Sequence, residues 1–183
     1  LKETADNTYS LVENLLHLSA SHTGSLEFKP VKIDLVPVIK DILRLYRPQA
    51  LAKKVELQEK VLESLKITAD INMIRIILRN LINNAVKYSF DGSTVEVSAS
   101  CSEQGILIAV KDNGMGMDQA TIDSLFHIGT VTSQPGTSGE RGTGLGLGLS
   151  REFVQKHGGN LEVHSEPGGG TGITISLPAW EAV

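Results

Sequence analysis

Hydrophobic residues recur at helical spacing in three stretches of the chain. The first stretch, residues 1 to about 20, carries leucines at near-heptad positions, which calls for a partner helix. A second helix should begin after Asp34 and a third after Asp70, because an aspartate before a periodic apolar run is a helix-start signal. The core-facing stripe of the third helix consists of Ile74, Ile77, Leu78, Leu81 and Ala85.

Alternation of apolar and polar residues predicts strands elsewhere. Short strands are expected in "VELQEKV" (55–61) and "SLKITA" (64–69). The stretches 93–101 and 105–114 should form a hairpin, and 160–166 and 171–178 should form two final strands. Helices and strands interleave without regular βαβ repeats, which favours an α+β fold with helices on one face of a mixed sheet.

Composition narrows the class of protein. With 183 residues and 40% hydrophobic content, the chain can form one well-cored domain with an appendage. Its 17 basic and 21 acidic residues give a net charge of -4 without a basic run, so no nucleic-acid partner is expected. Cys101 is the only cysteine, which excludes an internal disulfide and favours a reducing, cytoplasmic setting.

The chain ends give a further expectation about its context. The sequence starts mid-helix without a methionine, so we expect a segment of a longer protein. No apolar run approaches the roughly 18 residues that a transmembrane helix requires. Anchoring of the full-length protein in the inner membrane stays open.

Three polar residues on the third helix attract attention. In "RNLINNAVKYS" (79–89), Asn80, Asn84 and Lys87 fall on one narrow stripe beside the apolar one, and Tyr88 borders both. Asparagine is a mediocre helix former, so helix propensity does not explain it. Two carboxamides, an ammonium and a ring can hold a cation, a phosphate and a flat heterocycle. The alternative is a solvated polar face.

A carboxylate follows the second strand of the predicted hairpin. Asp112 continues the parity of Ile106, Ile108 and Val110, so it should point to the core side and need a hydrogen-bond donor. The exocyclic amine of adenine would satisfy it. Glycine has no Cβ, so Gly114 and Gly116 would let the backbone approach a flat ligand. An aspartate that simply caps the turn is the alternative.

Four glycines mark the start of the last predicted helix. Gly142, Gly144, Gly146 and Gly148 alternate with other residues in "GTGLGLGLS", although glycine costs about 1 kcal/mol against alanine inside a helix. Free backbone N–H groups at a helix start attract phosphate. The spacing matches neither the P-loop nor the dinucleotide fingerprint, because the P-loop lysine and an immediately preceding strand are both missing.

Together these motifs resemble the GHKL ATP-binding superfamily, and within it the catalytic domain of sensor histidine kinases. "NLINNAVKYS" resembles the asparagine box, "DNGMGM" the first glycine box, "SLFHIG" the phenylalanine box and "GTGLGLGLS" the second glycine box. The resemblance implies a Bergerat-type two-layer α/β sandwich over residues 24–183. Residues 1–23 would be the second helix of the dimerisation hairpin, preceding that sandwich as one long helix.

The resemblance also implies roles for individual residues. Asn84 would bind magnesium, Asn80 would support metal and phosphates, and these two with Lys87 would serve catalysis. Asp112 would accept a hydrogen bond from adenine. The remaining cofactor-binding residues would be Tyr88, Gly114, Gly116, Phe126, Arg141, Gly142, Thr143, Gly144, Leu145 and Gly146. The sequence departs from the family pattern in two places. Gly148 stands where the family usually has alanine, and the lid (129–142) has few basic residues.

Asn80 bears on the reaction. ATPases of the superfamily carry a glutamate at this position, and a carboxamide cannot take a proton from water as a carboxylate does. The site should therefore bind ATP and magnesium, hydrolyse ATP poorly, and phosphorylate a histidine delivered from elsewhere. None of the five histidines is followed by an acidic residue, as the family's phosphoacceptor is, so all are expected to be structural or on the surface: His17, His22, His127, His157 and His164.

Partners and alternatives follow from the same resemblance. The expected partners are ATP, the histidine-bearing hairpin of the full-length protein and a response-regulator receiver domain. The resemblance also implies that the full-length protein is a homodimer. A serine kinase or anti-sigma switch is one alternative. A nucleotide-dependent ATPase clamp without kinase activity is another, although Asn80 argues against it.

Overall fold

The computed structural model describes residues 27–102, 105–125, 134–140 and 142–178. The helices are α1 (Leu35–Ala52), α2 (Ile71–Tyr88), α3 (Gln119–Ser124) and α4 (Gly146–Lys156). The strands are β1 (Val31–Asp34), β2 (Glu56–Val61), β3 (Lys66–Ala69), β4 (Thr94–Ser102), β5 (Gly105–Asp112), β6 (Asn160–Glu166) and β7 (Gly170–Pro178). The helix predicted within residues 1–23 lies outside the described residues.

Five strands form the main sheet, in the order β2-β4-β5-β7-β6. Strand β2 runs parallel to β4, and the other neighbouring pairs are antiparallel, so the sheet is mixed as predicted. The hairpin β4–β5 is also confirmed. Strand β1 was not predicted, because its four residues are too few for a pattern and it pairs only with β3, which is distant in sequence.

One face of the main sheet packs against the helices. Val97, Ile108 and Ile175 alternate inward along β4, β5 and β7, and each is at most 1% exposed. The opposite face carries polar or exposed residues such as Lys111 and Glu162. Helix α2 packs against both α1 and α4 as well as against β4 and β5. The predicted two-layer α+β sandwich is therefore confirmed.

The two predicted helix starts are built by their aspartates. Asp34 accepts a hydrogen bond from Val36 N at 3.0 Å, and Asp70 accepts one from Asn72 N at 3.0 Å. These bonds satisfy amide groups that have no partner inside the helix. The second oxygen of Asp70 accepts from Lys29 N at 3.0 Å, so the start of α2 also holds the incoming chain.

His157 joins the end of α4 to the start of α2. Its Nε2 accepts a hydrogen bond from Asp70 N at 3.0 Å, and its Nδ1 lies 2.7 Å from Phe153 O, which assigns the ring proton to Nδ1. Burial lowers the pKa of His157, against the opposing effects of Phe153 O and Asp70. His157 is thus a structural histidine and His164 an exposed one, as predicted. The other three lie outside the described residues.

None of the four helices in the described ranges combines the length and hydrophobicity needed to cross a bilayer.

Candidate nucleotide-binding site

Helix α2 presents the predicted polar stripe beside its buried apolar one. Asn80 and Asn84 are half-buried, and Lys87 is only 4% exposed. The spacing of these residues places them on successive turns of one side of the helix. The predicted core stripe of α2 is buried throughout: Ile74, Ile77, Leu78, Leu81 and Ala85.

The carboxamide of Asn80 connects α2 to α4. Its Nδ2 donates to Gly146 O at 3.0 Å and to Ser150 Oγ at 3.3 Å. Ser150 Oγ in turn donates to Gly146 O at 2.8 Å. The sequence did not predict this contact. A glutamate at position 80 would lose both donated bonds and bring a negative charge to a carbonyl oxygen.

Asp112 ends β5 as a buried carboxylate, 5% exposed. Its Oδ1 accepts from Gly114 N at 2.9 Å and from Thr171 N at 3.2 Å. Burial raises the pKa of Asp112 to about 6, although these two amides act to lower it. The bond from Gly114 N is the one expected under the alternative interpretation, in which Asp112 simply caps the turn. Since both bonds use Oδ1, Oδ2 has no donor among the described residues and can serve a ligand.

Backbone carbonyl groups of the protein lie very close to two glycines of the first glycine box. A Cβ on Gly114 would lie 2.1 Å from Tyr88 O, and a Cβ on Gly116 would lie 1.8 Å from Glu166 O. Gly116 also has a φ of +63°, a conformation that favours glycine. The approach of the backbone to a ligand at these glycines stays a prediction, and the structure adds a second reason for them. They let the box fit between the end of α2 and the β6–β7 turn.

The start of α4 lacks a side-chain cap. Leu145 occupies the N-cap position, and no side chain there bonds the first amides of the helix. Thr143 Oγ1 accepts from Leu145 N over a long 3.4 Å, and Gly144 turns the chain with a φ of +70°. Uncapped N–H groups at a helix start are suited to bind an anion. Gly142 and Gly144 are exposed beside them.

The second part of the predicted lid contacts the end of α2. Lys87 Nζ donates to Tyr88 Oη at 2.9 Å, and Tyr88 Oη donates to Gln134 O at 3.2 Å. Residues 134–140, which lie within the predicted lid, therefore contact the end of α2 directly. Phe126 and Arg141 lie outside the described residues, and their roles stay predictions.

The residues suit a magnesium ion that is held mainly by phosphate. No group of three or more His, Cys, Asp or Glu that could hold a metal occurs in the described parts of the chain. Asn84 is half-buried, with no hydrogen bond to its side chain from any described residue. Magnesium commonly takes one or two protein ligands and completes its shell with phosphate oxygens and water. One carboxamide oxygen beside a triphosphate fits that pattern.

Known proteins resemble this chain in sequence and structure. Residues 69–181 match the family described as histidine kinase-, DNA gyrase B- and HSP90-like ATPase. Sensor protein GacS of Pseudomonas syringae pv. syringae is 31% identical over 188 residues, covering 97% of this chain and 20% of that protein. The chain thus spans about a fifth of the length of this relative.

Solved structures extend the similarity. Full-length ShkA in complex with AMPPNP superposes with a TM-score of 0.81 at 27% identity, covering 99% of this chain and 38% of that chain. Histidine kinase AdeS of Acinetobacter baumannii gives a TM-score of 0.78 at 21% identity, covering 97% of this chain and 81% of that chain. The second match supports the fold alone.

Gly146 and Gly148 offer a matched pair of substitutions. A Cβ at Gly148 meets nothing within 4 Å, so Gly148→Ala should raise the free energy of unfolding by about 0.5–1 kcal/mol through helix propensity. A Cβ at Gly146 would lie 3.1 Å from Asn80 Cγ, so Gly146→Ala should give no such gain and should weaken nucleotide binding. Urea titration and a fluorescent-nucleotide titration measure both. Equal behaviour of the two variants would show that the Asn80 contact imposes no constraint.

Asp112→Asn should weaken ATP binding by about 1–3 kcal/mol, because an amide donor would then face the adenine amine. The same variant should shift its preference toward inosine triphosphate, whose O6 accepts a hydrogen bond. Calorimetric titration of wild type and variant with both nucleotides measures the change. An ATP affinity equal to that of the wild type would refute the adenine contact.

Adenosine affinity should depend on pH through Asp112. The pKa of about 6 in the free protein means that the carboxylate becomes protonated as pH falls below 6. A donated bond from adenine favours the ionised form, so affinity should be constant above about pH 7 and fall by up to about tenfold per unit below 6. Adenosine is the probe because it carries no phosphate that titrates in this range. A flat profile, or the same slope in Asp112→Asn, would contradict the assignment.

Proposed function

The chain belongs to the histidine kinase-, DNA gyrase B- and HSP90-like ATPase family, and from that membership we propose that it is the catalytic domain of a two-component sensor histidine kinase. The family match confirms the superfamily that the motifs predicted, and the mixed five-stranded sheet confirms the predicted fold. ATP binding is the property shared by the family. The proposed reaction moves the γ-phosphoryl group of ATP to a histidine on a helical hairpin, for relay to an aspartate of a response-regulator receiver domain.

The observation that carries the proposal is the chemistry of position 80. Asn80 is a carboxamide whose nitrogen donates to Gly146 O at 3.0 Å, and the stripe it shares with Asn84 and Lys87 contains no acid. A water molecule near the phosphates would find no general base on this stripe. A site that binds triphosphate without activating water suits transfer to another nucleophile. The relative named sensor protein GacS supports the same class.

The remaining residues supply binding and orientation. In the proposal, Asp112 Oδ2 accepts from the adenine amine, and Tyr88, Gly114 and Gly116 shape the base pocket. Lys87 and the first amides of α4 hold the phosphates. Magnesium, when bound beside Asn84, would neutralise phosphate charge. Phosphoryl transfer depends mainly on positioning and charge neutralisation, so a neutral imidazole nitrogen needs little more than correct orientation to attack with its lone pair.

The phosphoacceptor is proposed to come from outside the described residues. His157 is buried with both ring nitrogens engaged, so its lone pair is not available to a phosphoryl group. His164 is exposed on β6, on an element that carries no predicted nucleotide-binding residue. A hairpin of the full-length protein, arranged as a homodimer, is the proposed source of the histidine.

A transfer assay tests the proposal. The chain, a histidine-bearing hairpin supplied in trans and γ-labelled ATP with magnesium should give acid-labile phosphate on the hairpin. Asn84→Ala should lower the transfer rate by about 100-fold or more, since a bound metal contributes several kcal/mol to charge stabilisation. The neighbouring Asn83→Ala is the matched control and should transfer normally.

The assay also separates the alternatives. Acid-stable phosphate on a partner serine would favour the serine kinase class, and rapid phosphate release without any acceptor would favour the ATPase class. Normal transfer by Asn84→Ala would remove the metal role of that residue. Nucleotide binding with no transfer to any hairpin would count against kinase activity.

A further inference from the structure

Lys53, just after α1, is a buried lysine outside the motifs discussed above. It is 7% exposed, and its Nζ donates to Val86 O at 3.1 Å and to Lys87 O. These carbonyl groups lie in the last turn of α2, where no amide of the same helix is available to them. A cation at this position also complements the negative end of the helix dipole. Lys53 therefore caps the helix that carries the proposed phosphate-binding lysine.

The same ammonium reaches the lid. Lys53 Nζ lies 2.9 Å from Glu140 Oε1 in an ion pair whose side chains are 8% and 22% exposed. The second oxygen, Glu140 Oε2, accepts from Ser138 N at 2.9 Å, and Gly136 N donates to Glu140 O at 2.8 Å. Burial acts to raise the pKa of Glu140, but the bonds from Lys53 and from backbone amides outweigh it and hold that pKa below its usual value.

The turn that contains Glu140 is fitted closely to α2. Thr137 N donates to Lys87 O at 3.3 Å, and the single hydroxyl hydrogen of Thr137 is within reach of both Ser89 O and Lys87 O. A Cβ on Gly136 would lie 2.4 Å from Glu140 Oε2 and 2.7 Å from Lys87 Cγ. Only glycine allows this approach, so the turn and the stem of Lys87 pack as one unit.

This unit determines the surroundings of the Lys87 ammonium. Gln134 O, at the beginning of the turn, accepts from Tyr88 Oη, which accepts from Lys87 Nζ. The other end of the turn, Glu140, lies two residues before the exposed Gly142 that leads into α4. The turn thus contacts Tyr88 and Lys87 at one end and precedes the segment that leads into α4 at the other. The ion pair is the only salt bridge that residues 134–140 form with another described residue.

We propose that Lys53 and Glu140 are a positioning pair, which fixes residues 134–140 on the end of α2 and thereby orients Lys87 toward the phosphates. The inference rests on the nucleotide site proposed above. Neither side chain needs to touch the nucleotide. The pair acts through the carbonyl groups of α2 and through Tyr88, so its loss should affect phosphate binding more than adenine binding.

The ratio of ATP affinity to adenosine affinity tests this role. Adenosine reports the Asp112 side of the site alone, whereas ATP also reports Lys87. Glu140→Ala leaves Lys53 its two carbonyl acceptors and should weaken ATP binding by about tenfold while changing adenosine binding by less than about twofold. Glu63→Ala, an exposed glutamate between β2 and β3, is the control and should change neither affinity.

Lys53 provides the second half of the test. Lys53→Met should lower the same ratio, and Lys53→Arg should restore most of it because the positive charge remains. The exposed neighbour Lys54→Met is the matched control. The double variant Lys53→Met with Glu140→Ala should be no weaker than Lys53→Met alone, as expected for two groups that act through one contact.

The outcomes separate this inference from the proposed function. Wild-type protein that binds neither ATP nor adenosine would overturn the nucleotide site and the pair together. Normal wild-type binding with an unchanged ratio in Glu140→Ala would overturn the positioning role alone. So would equal weakening of ATP and adenosine, which indicates general destabilisation. If Lys53→Met fails to fold, Glu140→Ala decides.

Discussion

The last carbonyl groups of α2 have no amide partner within their own helix, and their need for donors organises the site. Lys87 O accepts from Lys53 and Thr137, and Tyr88 O accepts from Met115 N at 3.1 Å. Segments from three separate parts of the chain therefore meet at one helix end. The first glycine box and the lid turn are fixed relative to the polar stripe because both satisfy the same group of carbonyls.

Within that frame, each part of the site has a distinct chemical task. Asp112 provides a buried hydrogen-bond acceptor. Burial raises its pKa, so its ionised form needs further hydrogen-bond donors to be stabilised. The uncapped start of α4 provides free amides, and Asn80 attaches that start to α2 by hydrogen bonds to Gly146 O and Ser150 Oγ. The arrangement holds charge in place and offers no base on α2 to activate water. In the proposed function, the reaction class depends on the same carboxamide that joins α2 to α4.

Structural features that depend on neighbouring residues were predicted from the sequence. Contacts between residues distant in the chain were not. Helix starts at Asp34 and Asp70 were readable because an N-cap bonds amides two or three residues away. The Lys53–Glu140 pair spans 87 positions, so no local pattern indicates it. The motif glycines were recognised, but the packing reason for Gly114 was not, since only the fold brings Tyr88 O against it. Strand β1 was missed because its pairing is tertiary.

The central claim is that α2, β5 and the start of α4 together form one nucleotide site. A crystal structure of the chain with AMPPNP and magnesium tests this most directly. The account predicts the adenine amine within hydrogen-bond distance of Asp112 Oδ2, the metal against Asn84 and the phosphates at the first amides of α4. Adenine bound away from Asp112, or phosphates that do not meet the start of α4, would contradict it.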